Sequence, residues 1–174
     1  TPHNAIAAVS FPVDLPDPME ITDSILIALE SVQDPGNLGT IIRAAAWFGF
    51  RYIVCSLDCA DVYNPKVIQA SMGALLNVAV LYNDLKQLLE DARKRELPVY
   101  GTYLEGESVY KSKLGNSGVI LFGNESRGIS GDLLPFITTR LLIPKFTTSN
   151  HGVESLNVGM AASVVFSEFA RRRG

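Results

Sequence analysis

Three polar clusters in this chain carry residues able to do chemistry. The first, Asp34-Pro35-Gly36-Asn37-Leu38-Gly39, precedes an apolar helical pattern that also holds Arg43. The second, Gly123-Asn124-Glu125-Ser126-Arg127-Gly128, sets a carboxylate beside an Asn. The third lies in the stretch 141–169, which stops at Pro144, passes through a polar loop with His151 and Gly152, and reaches Ser155-Leu156-Asn157. An Asn in a Gly-rich turn tolerates positive φ, and its amide offers both a donor and an acceptor. Asn37, Asn124 and Asn157 are open to that purely structural reading. Three of them at three strand ends point instead to loops that converge on one polar site.

Glu125 either accepts backbone N–H bonds and so shapes its loop, or touches a ligand directly. Arg43 suits an anionic partner, because its planar fork matches carboxylate and phosphate and because burying it unpaired is costly. His151 reads as a solvated loop residue. Cys55 and Cys59 have no Cys or His partners at zinc spacing, so they read as reduced thiols with no metal between them.

Elements that could position these loops follow from periodicity. The short continuous apolar run at 25–29 is the pattern of a strand buried on both faces of a parallel sheet, and further strands are read at 52–55, 78–81, 98–103, 119–122 and 140–143. Between them lie helical patterns at 38–48, closed by Gly49, at 64–72, opened by Asn64-Pro65, and at 84–95, where Leu85, Leu88, Leu89 and Ala92 share a face. A brief helix at 133–137 and a long one at 156–172 complete the set. Alternating strands and helices define an α/β fold, a mostly parallel sheet flanked by helices. Ligands in such folds sit where strands lead into helix N-termini.

The last helix carries Gly159, Ala161, Ala162 and Ser163, small residues that admit a close neighbour within the chain or from a second subunit. Arg171 to Arg173 stand where cations complement a helix C-terminus.

At 174 residues, 47% of them apolar and 19% charged, the chain has room for one domain with a substantial core. Residues 1–20, with four Pro, read as a linker or the edge of a larger protein, and 21–174 as the domain itself. No run approaches the roughly 18 apolar residues of a membrane span, and the expectation is a soluble, cytoplasmic protein. A formal net charge of -3 exerts no global pull on nucleic acid. A dinucleotide fold is the nearest general alternative, with Asp58 as the ribose ligand, but Asp34 stands where the first Gly of G-x-G-x-x-G belongs.

Taken together, the motifs resemble the SpoU/TrmH family of the SPOUT class of RNA methyltransferases. The likeness rests on 37–45 (NLGTIIRAA) with Phe48-Gly49, on 121–128 (LFGNESRG), and on Ile143-Pro144 with 154–158 (ESLNV). Asn64-Pro65-Lys66 and 70–74 (ASMGA) resemble the family's connecting segment, so that the match covers about 24–170.

The resemblance implies an S-adenosylmethionine-dependent RNA methyltransferase of ribose 2'-hydroxyls in tRNA or rRNA. It further implies a C-terminal deep trefoil knot, a homodimer, and commonly an extra N-terminal RNA-binding domain. Carried over by position, Gly101, Thr102, Leu121, Gly123, Ile143, Ser155 and Leu156 would contact S-adenosylmethionine, and Asn37, Arg43, Glu125, Ser155 and Asn157 would form the catalytic neighbourhood. The nine residues between Pro144 and Glu154 make a longer loop than the family's pattern and bear on the lid, including 147–151, and on substrate choice. A non-catalytic RNA-binding protein with the same fold, or a nicotinamide-dependent dehydrogenase, are the competing readings.

Overall fold

The computed structural model describes residues 10, 17–20, 24–147 and 154–173. Strands β1 (Ile25–Leu29), β2 (Tyr52–Cys55), β3 (Ala79–Tyr82), β4 (Val99–Tyr103), β5 (Glu107–Ser108), β6 (Gly118–Phe122) and β7 (Thr139–Leu142) form one sheet in the order β3-β2-β1-β6-β4-β7-β5. Every strand pairing in it is parallel. Helices α1 (Pro35–Trp47), α2 (Pro65–Ser71), α3 (Leu85–Lys94) and α4 (Val158–Arg171) connect or cover the strands.

Alternation along β1 divides the core. Ile25, Ile27 and Leu29 face α1 and α4, where Leu38, Ile41, Ile42, Val165, Phe166 and Phe169 close over them. Leu26 and Ala28 face the other side, against Leu85, Leu88 and Leu89 of α3. Burial of β1 on both faces explains its unbroken apolar run. Phe166 touches Phe50 at 5.0 Å and Phe122 at 5.8 Å between ring centroids, which seats α4 on the sheet. Truncating so buried an aromatic typically costs about 3–5 kcal/mol.

The bounds of β1 and β2 match their apolar runs, and the other elements shift by a residue or two. The start of α1 shifts most, to Pro35 rather than 38. Asp34 accepts the Asn37 amide as an N-cap, and Pro35 occupies the first turn, where its missing N–H is harmless. Asn37 therefore belongs to a helix, not to a loop. Edge strand β5 has no apolar run and carries no periodic signal. The brief helix at 133–137 is a 3-10 turn, Leu134–Phe136. The segment that would thread the knot includes 148–153, outside the described residues, as are His151 and most of the lengthened loop.

Candidate active site

The three polar clusters meet. Asn157 caps α4, its Oδ1 accepting the amides of Gly159 at 2.9 Å and Met160 at 3.3 Å. That capping bond fixes which way the side-chain amide points. Its Nδ2 then donates to Asn37 Oδ1 at 2.7 Å, and Asn37, its own amide oriented by this contact, donates from Nδ2 to Glu125 Oε1 at 3.0 Å. The result is a one-way relay from the N-terminus of α4, across that of α1, to a carboxylate. Both helix ends carry partial positive charge, which favours an anion between them. The close approach of the two helices depends on Gly159, where a Cβ would lie 3.0 Å from Thr40 Cγ2.

The loop bearing Glu125 is held tightly. A Cβ on Gly123 would sit 2.2 Å from the backbone carbon of Gly128, so only glycine fits. Asn124 and Gly128 exchange two backbone hydrogen bonds, and Asn124 Oδ1 accepts the amides of Ser126 and Arg127 at 3.0 Å each. Asn124, rather than Glu125, thus takes the loop-shaping role. Among the described residues Glu125 accepts from side-chain amides, those of Asn37 and, at 3.4 Å, Asn124. None of the three Asn residues has positive φ; among the described residues the non-Gly ones that do are Ser31, Met72 and Glu96.

Beside this cluster two strands part. The β4·β6 ladder ends at Gly101↔Leu121, whereas β4 continues beside β7 to Tyr103↔Leu142 and β6 beside β1 to Phe122. Thr102 Oγ1 reaches across to the Leu121 carbonyl at 3.2 Å. A Cβ on Gly101 would lie 2.8 Å from Ile137 Cδ1, so this edge also stays bare backbone. The Tyr103 hydroxyl is buried without a hydrogen-bond partner among the described residues, and burial pushes its pKa up. Gly123 and Ile143 are half-buried at the mouth, with Ser155 and Leu156 exposed on the approach to α4.

Arg43 stands apart. It is exposed, so the burial cost argued from its apolar neighbours does not arise, and it has no ion pair among the described residues. Six residues at 100° each place it about 120° around α1 from Asn37 and about 9 Å further along. Within one chain it does not join the Asn37–Glu125–Asn157 relay.

The C-terminal arginines are structural ties rather than free cations. Arg171 and Arg172 bind Glu168, Arg172 also donates to the carbonyls of Val109, Tyr110 and Ser112, and Arg173 lies 4.4 Å over the Phe50 ring. Both cysteines are free; interaction with Cys55 holds the Cys59 thiol at about 7, while the same interaction and burial push Cys55 up.

Asp58 is engaged by serines in a manner that no spacing rule anticipates. Ser31 Oγ and Ser56 Oγ each donate to it at 2.5 Å, and these bonds hold its carboxyl below the usual range. With Asp58 so committed and Asp34 capping α1, the dinucleotide pattern has neither its ribose ligand nor its phosphate loop. The only signal in the sequence is Asp58 itself, two residues after Ser56.

A wholly parallel sheet with helices on both faces, and an Asn/Glu relay at helix N-termini, define an α/β protein whose candidate site lies at the C-terminal strand ends. The chain belongs to the SpoU rRNA methylase family, whose model matches residues 24–167. It is 34% identical over 149 residues to an uncharacterised tRNA/rRNA methyltransferase of Synechocystis, covering 84% of this chain and 53% of that protein. It is 30% identical over 152 residues to the 23S rRNA guanosine 2'-O-methyltransferase RlmP of Bacillus subtilis, covering 87% and 60%.

Among solved structures, a TrmH-family protein from Porphyromonas gingivalis superposes with a TM-score of 0.83 at 42% identity over 90% of this chain and 62% of that one. The SpoU methyltransferase AviRb from Streptomyces viridochromogenes, in complex with AdoMet, gives 0.80 at 25% identity over 93% and 63%. The chain spans less than two thirds of the length of each of these proteins.

Proposed function

We propose that this chain is the catalytic unit of an S-adenosylmethionine-dependent methyltransferase acting on the ribose 2'-hydroxyl of tRNA or rRNA. The observation that carries the reading is the relay from Asn157 through Asn37 to Glu125, which joins the family's three motif blocks by hydrogen bonds. It is supported by the guanosine 2'-O activity in the name of the Bacillus relative and by AdoMet in the AviRb structure.

The residues fit this cofactor. Where β4 and β6 part, Gly101 and Gly123 leave bare backbone edges, and the buried Tyr103 hydroxyl lacks a partner among the described residues. Gly101, Thr102, Leu121, Gly123, Ile143, Ser155 and Leu156 would hold it there, largely through backbone atoms. Bound S-adenosylmethionine supplies a methyl already activated by its sulfonium, so the protein must align the attacking oxygen and let its proton leave.

Asn37, Glu125, Ser155 and Asn157 form the wall against which the ribose is placed, and the relay fixes the orientation of the Glu125 carboxylate. Arg43 anchors an RNA phosphate and polarises the 2'-hydroxyl. A guanidinium keeps its own proton, so the hydroxyl proton passes to phosphate or solvent. Because Arg43 is exposed and outside the relay of its own chain, it serves the site of a second copy in a homodimer. Trp47, one turn further along α1 and 84% exposed, marks the same open face of the helix. The trefoil knot of the family accompanies this reading.

Transfer of a labelled methyl group from S-adenosylmethionine to tRNA or rRNA, followed by digestion to nucleosides, tests it. The expected product is a 2'-O-methylnucleoside, with transfer reduced at least tenfold in Arg43→Lys, which keeps the charge but loses the planar fork. Near-normal turnover of that variant contradicts the geometric role of Arg43, and a base-methylated product contradicts the ribose assignment.

A further inference from the structure

Asp58 has no part in the relay, yet it is tied to the loop that carries Glu125. Its carboxylate accepts both the Ser31 and the Ser56 hydroxyl protons, at 2.5 Å each, and Ser56 Oγ in turn accepts the Ser31 amide at 2.8 Å. These three bonds hold Ser31 at φ 53, a left-handed conformation that side-chain-bearing residues rarely adopt. In that conformation the Ser31 carbonyl accepts Asn124 Nδ2 at 2.8 Å. Asn124 Oδ1, oriented by the same contact, accepts the amides of Ser126 and Arg127. The positive charge of Arg127, in the same loop, also favours the ionised form of Asp58.

We propose that Asp58 is a positioning residue for methyl transfer: acting through Ser31 and Asn124, it holds the 124–128 loop so that Glu125 meets Asn37. Its consequence for catalysis rests on the function proposed above, but the contacts do not. Both hydroxyl protons point at one carboxylate, so the arrangement requires two acceptor oxygens. Asn at position 58 offers one, and one serine loses its acceptor. Ser31 then has less to keep it in the left-handed region, and Asn124 loses the carbonyl that sets its amide.

The test is nuclear magnetic resonance of the whole chain, wild type against Asp58→Asn, with Ser31→Ala as a second variant that breaks the same link while leaving Asp58 bonded to Ser56. The expected result is at least tenfold faster amide exchange at Ser126 and Arg127, with the α3 amides unchanged. The side-chain amide resonances of Asn37, which Asp58 does not touch, should move at the same time.

Two outcomes overturn the proposal. One is wild-type exchange and an unmoved Asn37 amide in a folded variant of either kind. The other is acceleration of α3 and the loop together, which makes Asp58 a general stabiliser only. These readouts need neither cofactor nor RNA, so failure of the methyltransferase reading leaves them intact. Titration of the same variants with S-adenosylmethionine then shows whether the loosened loop also weakens cofactor binding.

Discussion

Asn157 does two jobs with one amide, and a single substitution separates them. Its Oδ1 caps α4 and its Nδ2 donates to Asn37. Asp and Asn are nearly equivalent as N-caps. Asn157→Asp therefore keeps the cap, with stability expected within about 0.5 kcal/mol of wild type by thermal denaturation. The new carboxylate, however, faces Asn37 Oδ1 with no proton to give. Asn37 can answer only by rotating its amide, which turns its oxygen toward Glu125. Methyl transfer should then fall at least tenfold with the fold intact, whereas unchanged transfer would show that the relay has no role beyond capping.

Of these residues, the convergence of Asn37, Glu125 and Asn157 is legible in the sequence, because polar residues at the C-terminal ends of parallel strands have one crevice to share. The direction of the relay is not, since it depends on which amide atom the helix cap claims. Asp58 and Ser31 are illegible for a related reason: a left-handed Ser stabilised from 27 positions away leaves no local pattern.

At the scale of elements, burial on both faces writes a parallel strand as an unbroken apolar run, and β1 and β6 are legible in the sequence for that reason, whereas β4 and β7 carry Gly, Thr or Arg and are only partly buried. β5, two residues on the sheet edge, has no buried face to encode. α1 begins earlier than its apolar periodicity because its first turn, Pro35 to Asn37, is set by a cap and a proline rather than by burial.

The end of α4 is held by polar chemistry that periodicity also misses. Glu168, buried in the middle of an apolar face, accepts Arg171 at 2.9 Å and Arg172 at 2.7 Å, and Arg172 passes on to the carbonyls of the 109–112 turn. Arg171 first, and then Arg172, hold the Glu168 carboxyl at about 2, below its ordinary 4.5. A depressed carboxylate adds stability that is fully present above the unfolded value and is lost as pH falls through the folded one. Thermal melts between pH 5 and pH 2 should thus show a steeper loss in wild type than in Glu168→Gln, which is less stable at neutral pH but flatter across that window. Parallel curves would show that the pair contributes nothing specific.

For the molecule as a whole, the parallel sheet carries every proposed site residue except Arg43 to one edge. Net charge alone points away from RNA, because a sum over the surface says nothing about a local site. The exposed α1 face that bears Arg43 and Trp47 is where the single chain is incomplete by the proposed chemistry, and the proposed homodimer would complete it without altering the fold.

The proposed chemistry depends above all on S-adenosylmethionine binding at the parted ends of β4 and β6, beside the Gly123 loop. Calorimetric titration of the purified chain with S-adenosylmethionine, with NAD as control, addresses it most directly. Saturable binding of S-adenosylmethionine alone is predicted, abolished by Gly123→Ala in a variant that remains folded, because the added Cβ displaces the Gly128 backbone. No binding at millimolar S-adenosylmethionine, or equal binding of NAD, would contradict it.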